Sequence, residues 1–181
     1  MYAAQVHNSI EQAANLYSSL RMSRQAEKFR KVFFSIFDGI TDISVETVGG
    51  TYTILADVPW AKHLLPLPAL SGGTTRAASI LLALTARENA VVLVDEIESG
   101  IFHARQAPFA RALLEMIREY PSQLIMTTHS EEWLEKFLAE ASDSTDDIAF
   151  WRMERVDNGL PTIRRFSARE FRRGLDMGEM R

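Results

Sequence analysis

The stretch Val91-Val92-Leu93-Val94-Asp95-Glu96 constrains the fold more than any other part of the chain. Four apolar, mostly β-branched residues in a row predict a strand buried on both faces, as in parallel sheets flanked by helices. Such a strand should not run out into two adjacent carboxylates without a reason, because desolvating ionised carboxylates is costly. One reading is that a magnesium ion carrying a nucleotide is held there. Asp95 would then serve the metal, directly or through water, and Glu96 would polarise the attacking water. The other reading is that both acids cap a loop or the following helix, and the hexapeptide alone does not decide between them.

The residues downstream repeat the pattern. A helix is expected from about Ala104 to Glu119, with Phe109, Leu113, Leu114 and Ile117 inward, and Pro121 closes it. Gln123 to Thr128 reads as a second buried strand, ending at His129-Ser130 before a helix that carries Trp133, Leu134 and Phe137. Strand, helix, strand, helix at these spacings implies right-handed crossovers in a mainly parallel sheet, hence an α/β fold. Ligands of such sheets bind at the carboxyl ends of strands, so Asp95, Glu96 and His129 are expected at one edge.

Upstream, Leu64 to Leu70 contains two prolines and is expected to be irregular. It feeds into Ser71-Gly72-Gly73-Thr74 and a helix from about Thr74 to Arg87. Ser71 is a natural N-cap, and the two glycines would let an outside group approach the unpaired amides of the first turn. A phosphate would suit that place, although a plain Ser-capped helix after a glycine turn has the same sequence.

Residues 8 to 37 have helical periodicity, with Ile10, Ala14 and Tyr17 on one face and Phe29, Val32, Phe33 and Ile36 on another. Asn8 with Glu11 resembles a capping box, and Ser23 is a candidate start for a second helix. The aromatics Phe33, Phe34 and Phe37 are expected to pack between helix and sheet. Ile43 to Thr47 and Tyr52 to Ala56 flank Gly49-Gly50, a hairpin signal. In the tail, strands near 148 to 153 and 161 to 166 should join at Asp157-Asn158-Gly159. Seven arginines face three acids between 152 and 173, among them Arg152, Arg155, Arg164 and Arg165. They could track a nucleic-acid backbone or form an ordinary solvated face.

With 181 residues, 46% of them hydrophobic, the chain can bury one substantial core. Its net charge of -4 argues against a wholesale polyanion binder but not against a local basic patch. The lack of cysteine excludes disulfides, thiolate metal sites and cysteine nucleophiles. No apolar run approaches membrane-spanning length, so no membrane partner is expected, and the start lacks the plan of a secretion signal; a cytoplasmic location is expected.

Taken in order, Leu70-Ser71-Gly72-Gly73, then Val91 to Glu96, then Thr127-Thr128-His129-Ser130, the chain resembles the C-terminal half of an ABC-type P-loop ATPase. The branch is the RecF and SMC-like one, which includes AAA-family and OLD-like ATP-binding proteins. Leu70 to Gly73 resembles the signature motif, with Thr74 where that family usually has another polar residue. Asp95 to Glu98 resembles an extended Walker B, Ser99 to His103 the D-loop, and His129 the switch histidine. Phe37 to Ile43 is similar to the segment entering this lobe, and Gly178 to Arg181 to a usual terminus. The resemblance covers roughly residues 25 to 181.

That resemblance implies ATP and Mg2+ as cofactors, Glu96 and His129 as catalytic residues, and Asp95 at the metal. Ser71, Gly72, Gly73 and Thr74 would meet the nucleotide held by an opposite unit. The implied organisation is a helical segment over 1–40 leading into an ATPase lobe over 41–181. No Gly-x-x-x-x-Gly-Lys-Ser/Thr occurs, and neither Gly49-Gly50 nor Gly72-Gly73 is followed by Lys. In the family the strand bearing that loop lies beside the one ending at His129, so its absence is expected to leave an apolar edge open. A truncated or split product is therefore expected, completed by a P-loop-bearing half or by itself as a dimer. DNA repair or anti-phage or toxin-type defence is the setting the family implies. A catalytically silent module that pairs with an intact ATPase is the alternative.

Overall fold

The computed structural model describes residues 3–5, 10–86, 89–141, 145–155 and 160–177. The chain begins with strand β1 (Ala3–Gln5), helices α1 (Ile10–Met22) and α2 (Ala26–Ile36), and strands β2 (Asp42–Val48), β3 (Thr51–Asp57) and β4 (Leu65–Pro66). Helices α3 (Leu67–Leu70) and α4 (Gly72–Ala83) lead to β5 (Ala90–Val94), α5 (His103–Glu119), β6 (Ser122–Met126) and α6 (Glu131–Glu140). A single 3-10 turn, Thr145–Asp147, precedes β7 (Ala149–Arg155), β8 (Pro161–Ser167) and α7 (Ala168–Asp176).

The predicted buried strand is β5, the middle member of a parallel sheet in the order β1-β5-β6. Val92 and Val94 are buried, while Val91 and Leu93 are partly covered. The register pairs Val94 with Met126, which brings the residues following the two strands side by side. β6 has no strand on its other side among the described residues, and Ile125 is 49% exposed. The outer edge of β6 is thus open among the described residues.

The parallel sheet is small. Among the described residues, five of the eight strands belong instead to two antiparallel sheets, β2-β3-β4 and β7-β8. The first is the Gly49-Gly50 hairpin; both glycines have positive φ, +59° and +84°, the geometry that lets a two-residue turn match the twist of its strands. β1 was not expected from the sequence, being only three residues long.

Elsewhere, sequence expectation and structure part for local reasons. The proline-rich stretch is not irregular: Pro66 is the N-cap of α3 and Pro68 lies in its first turn, where the missing N–H forfeits no helical bond. Ser23 does not start α2. Its hydroxyl donates back to the Ser19 and Leu20 carbonyls, both at 3.1 Å, and so closes α1. Arg24 then takes φ +59° and α2 begins after Gln25 without a side-chain cap. Ile10 is exposed, while Ala14 and Tyr17 are buried as expected. Asn8, Asp157 to Gly159 and Gly178 to Arg181 lie outside the described residues.

One contiguous core joins α1, α2, β3, α4, β5, α5 and α6. Phe29 stacks on Phe33 at 5.5 Å between ring centroids, and Phe33 meets Phe37 at 5.0 Å, so this aromatic group is packing, as expected. α7 is fastened by a capping box, Ser167 with Glu170, and its Phe171 stacks on Phe150 at 4.2 Å.

Candidate functional site

The loops after β5 and β6 lie side by side and are tied together. The Thr127 amide donates to the Val94 carbonyl at 3.0 Å, and the Ile97 amide to the Thr127 carbonyl at 3.1 Å, so the ladder runs past both strands. Thr127 Oγ1 accepts from the Glu96 amide at 2.9 Å and donates to the Asp95 carboxylate. One oxygen of Glu98 accepts the His129 amide at 3.3 Å; its other oxygen is buried with no partner among the described residues. Asp95, Glu96 and His129 are all exposed. The structure therefore gathers the three predicted residues at the carboxyl edge of neighbouring strands.

Glu96 is one of three non-glycine residues with positive φ among the described residues, at +47°. Left-handed backbone is disfavoured for a residue with a long side chain and persists where neighbours hold it. Here the holders are Thr127 on the amide side and Arg76 on the carbonyl side. The Arg76 guanidinium donates to the Asp95 carbonyl at 2.5 Å and to the Glu96 carbonyl at 3.0 Å.

The signature-like segment forms the N-terminus of α4. Ser71 caps it, accepting from the Thr74 amide at 2.9 Å, and its Oγ shares a hydrogen bond of 2.7 Å with Thr74 Oγ1. Thr74 is buried; its amide donates to Ser71, and its hydroxyl is paired with the Ser71 hydroxyl, either of which can be the donor. The two glycines also differ. A Cβ on Gly72 would meet nothing within 4 Å, whereas one on Gly73 would collide with the Gly100 carbonyl oxygen and stand 3.0 Å from its carbon. The space beside Gly72 is open, whereas the sequence expectation that both glycines admit an outside group does not hold at Gly73, which the Gly100 backbone closes off. A cleft of about 340 Å³ opens beside this turn, lined by Ser71, Gly73, Gly100, Phe102, Trp60 and Arg105 among others.

These residues fit a metal-bound nucleotide in a limited way. No cluster of three or more His, Asp or Glu suited to hold a metal by itself occurs among the described residues. Magnesium commonly needs only one or two carboxylates, with water and phosphate oxygens completing its shell. Asp95, steadied through one carboxylate oxygen by Thr127, suits that part.

Thr127, Arg76, Glu98 and Gly100 were not assigned these roles from the sequence. Asp95 and Thr127 are 32 positions apart, and Arg76 stands 19 and 20 positions from its two acceptors. Only the crossover fold places them in contact.

A parallel sheet flanked by helices, with acids and a histidine at its carboxyl edge, is an arrangement of the P-loop ATPase type of fold. The family described as "AAA domain, putative AbiEii toxin, Type IV TA system" matches residues 11–135, and the chain belongs to it. No curated protein matches the sequence. In fold the chain is similar to a structure from work on ATP-driven dimerization and DNA stimulated activation of SMC ATPases: 19% identity, TM-score 0.53, 91% of this chain and 97% of that one. It also resembles an Smc head bound to the C-winged helix domain of ScpA, with 17% identity and TM-score 0.59, covering 93% of this chain and 54% of that one. A third likeness is to a Smc head with an extended coiled coil, bound to the C-terminal domain of ScpA derived from Pyrococcus furiosus. There the identity is 18%, the TM-score 0.58, and the coverage 90% of this chain and 40% of that one. No helix among the described residues is long and apolar enough to cross a membrane.

Proposed function

We propose that this chain is the signature-bearing lobe of an ABC-type ATPase, which hydrolyses ATP with magnesium once a P-loop-bearing half or partner completes it. The observation that carries this reading is Thr127 joining Asp95 to Glu96 at the mouth of two parallel strands, beside His129 and next to the open edge of β6. A strand laid along β6 would end beside these residues, where its phosphate-binding loop would be needed.

The bound magnesium would neutralise phosphate charge and polarise the γ-phosphate. Asp95 would assist it, Glu96 would prepare water for in-line attack, and His129 would contact the γ-phosphate. Ser71 and the amides of Gly72 and Gly73 would face the γ-phosphate held by an opposite unit, a second copy included. That last role needs no P-loop in this chain. Family membership supports a place in a toxin-type system.

Without a P-loop, several charge-assisted hydrogen bonds of ~1.5–3 kcal/mol each are lost. The chain alone should accordingly bind ATP more weakly than about 1 mM by calorimetry. Mixed with a half that carries the glycine-lysine loop, it should hydrolyse ATP, and Glu96→Gln should abolish turnover while leaving the complex intact. Equal turnover by Glu96→Gln would refute the catalytic reading and favour a silent pairing module.

A second reading concerns the β7-β8 ribbon. Arg164 and Arg165 are exposed and engage aromatic rings, Phe166 and Trp151, with no carboxylate in ion-pair range among the described residues. Arg152 is paired with Glu154 at 3.4 Å, and the Arg155 side chain lies outside the description. Nucleic acid is the partner this suggests. Its affinity should fall steeply with salt and fall again in an Arg164→Ala, Arg165→Ala double variant. Binding untouched by that change would exclude the ribbon.

A further inference from the structure

We infer that Arg76 is a positioning residue for the hydrolytic carboxylate, holding the Asp95–Glu96 backbone in the pose from which Glu96 addresses water. This rests on the ATPase-lobe reading above. Arg76 lies on α4, five residues after the Ser71 cap, and donates from that helix to the loop after β5. Its two hydrogen bonds go to successive carbonyls, which fixes the orientation of both peptide planes around Glu96.

The need for such a brace comes from the backbone itself. Glu96 at φ +47° would relax toward the ordinary helical or extended regions if released. Its amide is held by Thr127, and its carbonyl also accepts from the Ser99 amide at 2.9 Å, but that contact is internal to the same turn. The Ile97 amide, in the same peptide as that carbonyl, donates to the Thr127 carbonyl at 3.1 Å, and Arg76 ties the Glu96 carbonyl itself to α4. The guanidinium is kept there at some cost, since Arg76 Nε is buried with no partner among the described residues. Both bonds leave one nitrogen, Nη2, whose two N–H groups are fixed in the guanidinium plane; a lysine ammonium rotates freely and sits on a stem one atom shorter.

Two readouts on Arg76→Lys and Arg76→Ala test the assignment. In amide spectra of the isotope-labelled full chain, the Asp95, Glu96, Ile97 and Thr127 signals should shift, and the Glu96 amide should exchange about tenfold faster or more. Amides of α5 and α6 should stay in place. In the mixture with the P-loop-bearing half, kcat should fall about 10- to 100-fold with KM changed less than about twofold, the signature of a misplaced catalytic group. Arg76→Lys should restore little of it. Unmoved signals at residues 95–97, or an unchanged kcat in an active mixture, would overturn the inference. If the wild-type mixture shows no hydrolysis, the ATPase reading fails and the amide spectra alone decide whether Arg76 braces the loop. Should Arg76→Ala fail to fold, Arg76→Lys carries both measurements.

Discussion

The two glycines of the signature-like turn should respond oppositely to the same substitution. At Gly72 an added methyl meets open space, and the position lies in the first turn of α4 with no positive φ. Gly72→Ala should therefore be neutral or stabilise by up to about 0.4–1 kcal/mol, mainly through the unfolded chain. At Gly73 the methyl would overlap the Gly100 carbonyl, which is backbone and cannot swing aside as a side-chain tip could. Gly100 has φ +75°, so its peptide is itself constrained. Overpacking of this kind costs about 1–3 kcal/mol, against which a helix-propensity gain of at most about 1 kcal/mol acts. The variants should differ by roughly 1–3 kcal/mol. At about 2–4 °C per kcal/mol for a chain of this size, Gly73→Ala should melt roughly 2–12 °C below Gly72→Ala by circular dichroism. Urea midpoints should order the same way with unchanged slopes. If the two variants melt together, Gly73 does not touch the D-loop-like backbone, and the packing argument for its size is wrong.

Other consequences are simpler to measure. Arg30 donates to Asp42 at 2.5 Å and, with help from the Ile43 amide, holds that carboxyl below its usual range. A depressed folded-state value means the contribution is present above the unfolded pKa of about 4 and is lost as pH falls through the lowered value. Asp42→Asn should therefore lower stability at pH 7 by no more than about 1 kcal/mol, because the pair is exposed, and should flatten the acid limb of the melting-temperature profile. An equally steep acid limb would assign the transition elsewhere. Ser71→Ala removes the cap of α4 and should cost about 0.5–2 kcal/mol in urea unfolding; no loss would mean the Thr74 amide finds another acceptor. Ile125→Lys places a charge on the open edge strand. It should leave the unfolding free energy within about 0.5 kcal/mol of wild type yet block stimulation by a P-loop-bearing half, and retained stimulation would place docking elsewhere.

What could be read from residues alone was whatever has a short period or a local signal. The run of β-branched residues marked β5, Gly49-Gly50 marked the β2-β3 turn, and the i, i+3, i+4 spacing of Phe29, Val32, Phe33 and Ile36 marked the buried face of α2. The order of serine-diglycine turn, acidic strand end and histidine was enough to place the chain near the ATPase family it belongs to. Those features depend on neighbours within a few positions, which a linear string displays.

The remainder depended on groups that meet only after the chain has folded back. That Gly72 is open while Gly73 is filled follows from where Gly100 comes to rest. That Thr127 holds both acids, and Arg76 the peptide between them, follows from two parallel strands in one register with α4 against their mouths. Side-chain chemistry chose the candidates; loop closure over twenty to thirty residues chose which of them touch. No local pattern encodes such contacts, because hydrogen bonds of this kind are decided by distance in space, and that distance is set by the packing of the whole core.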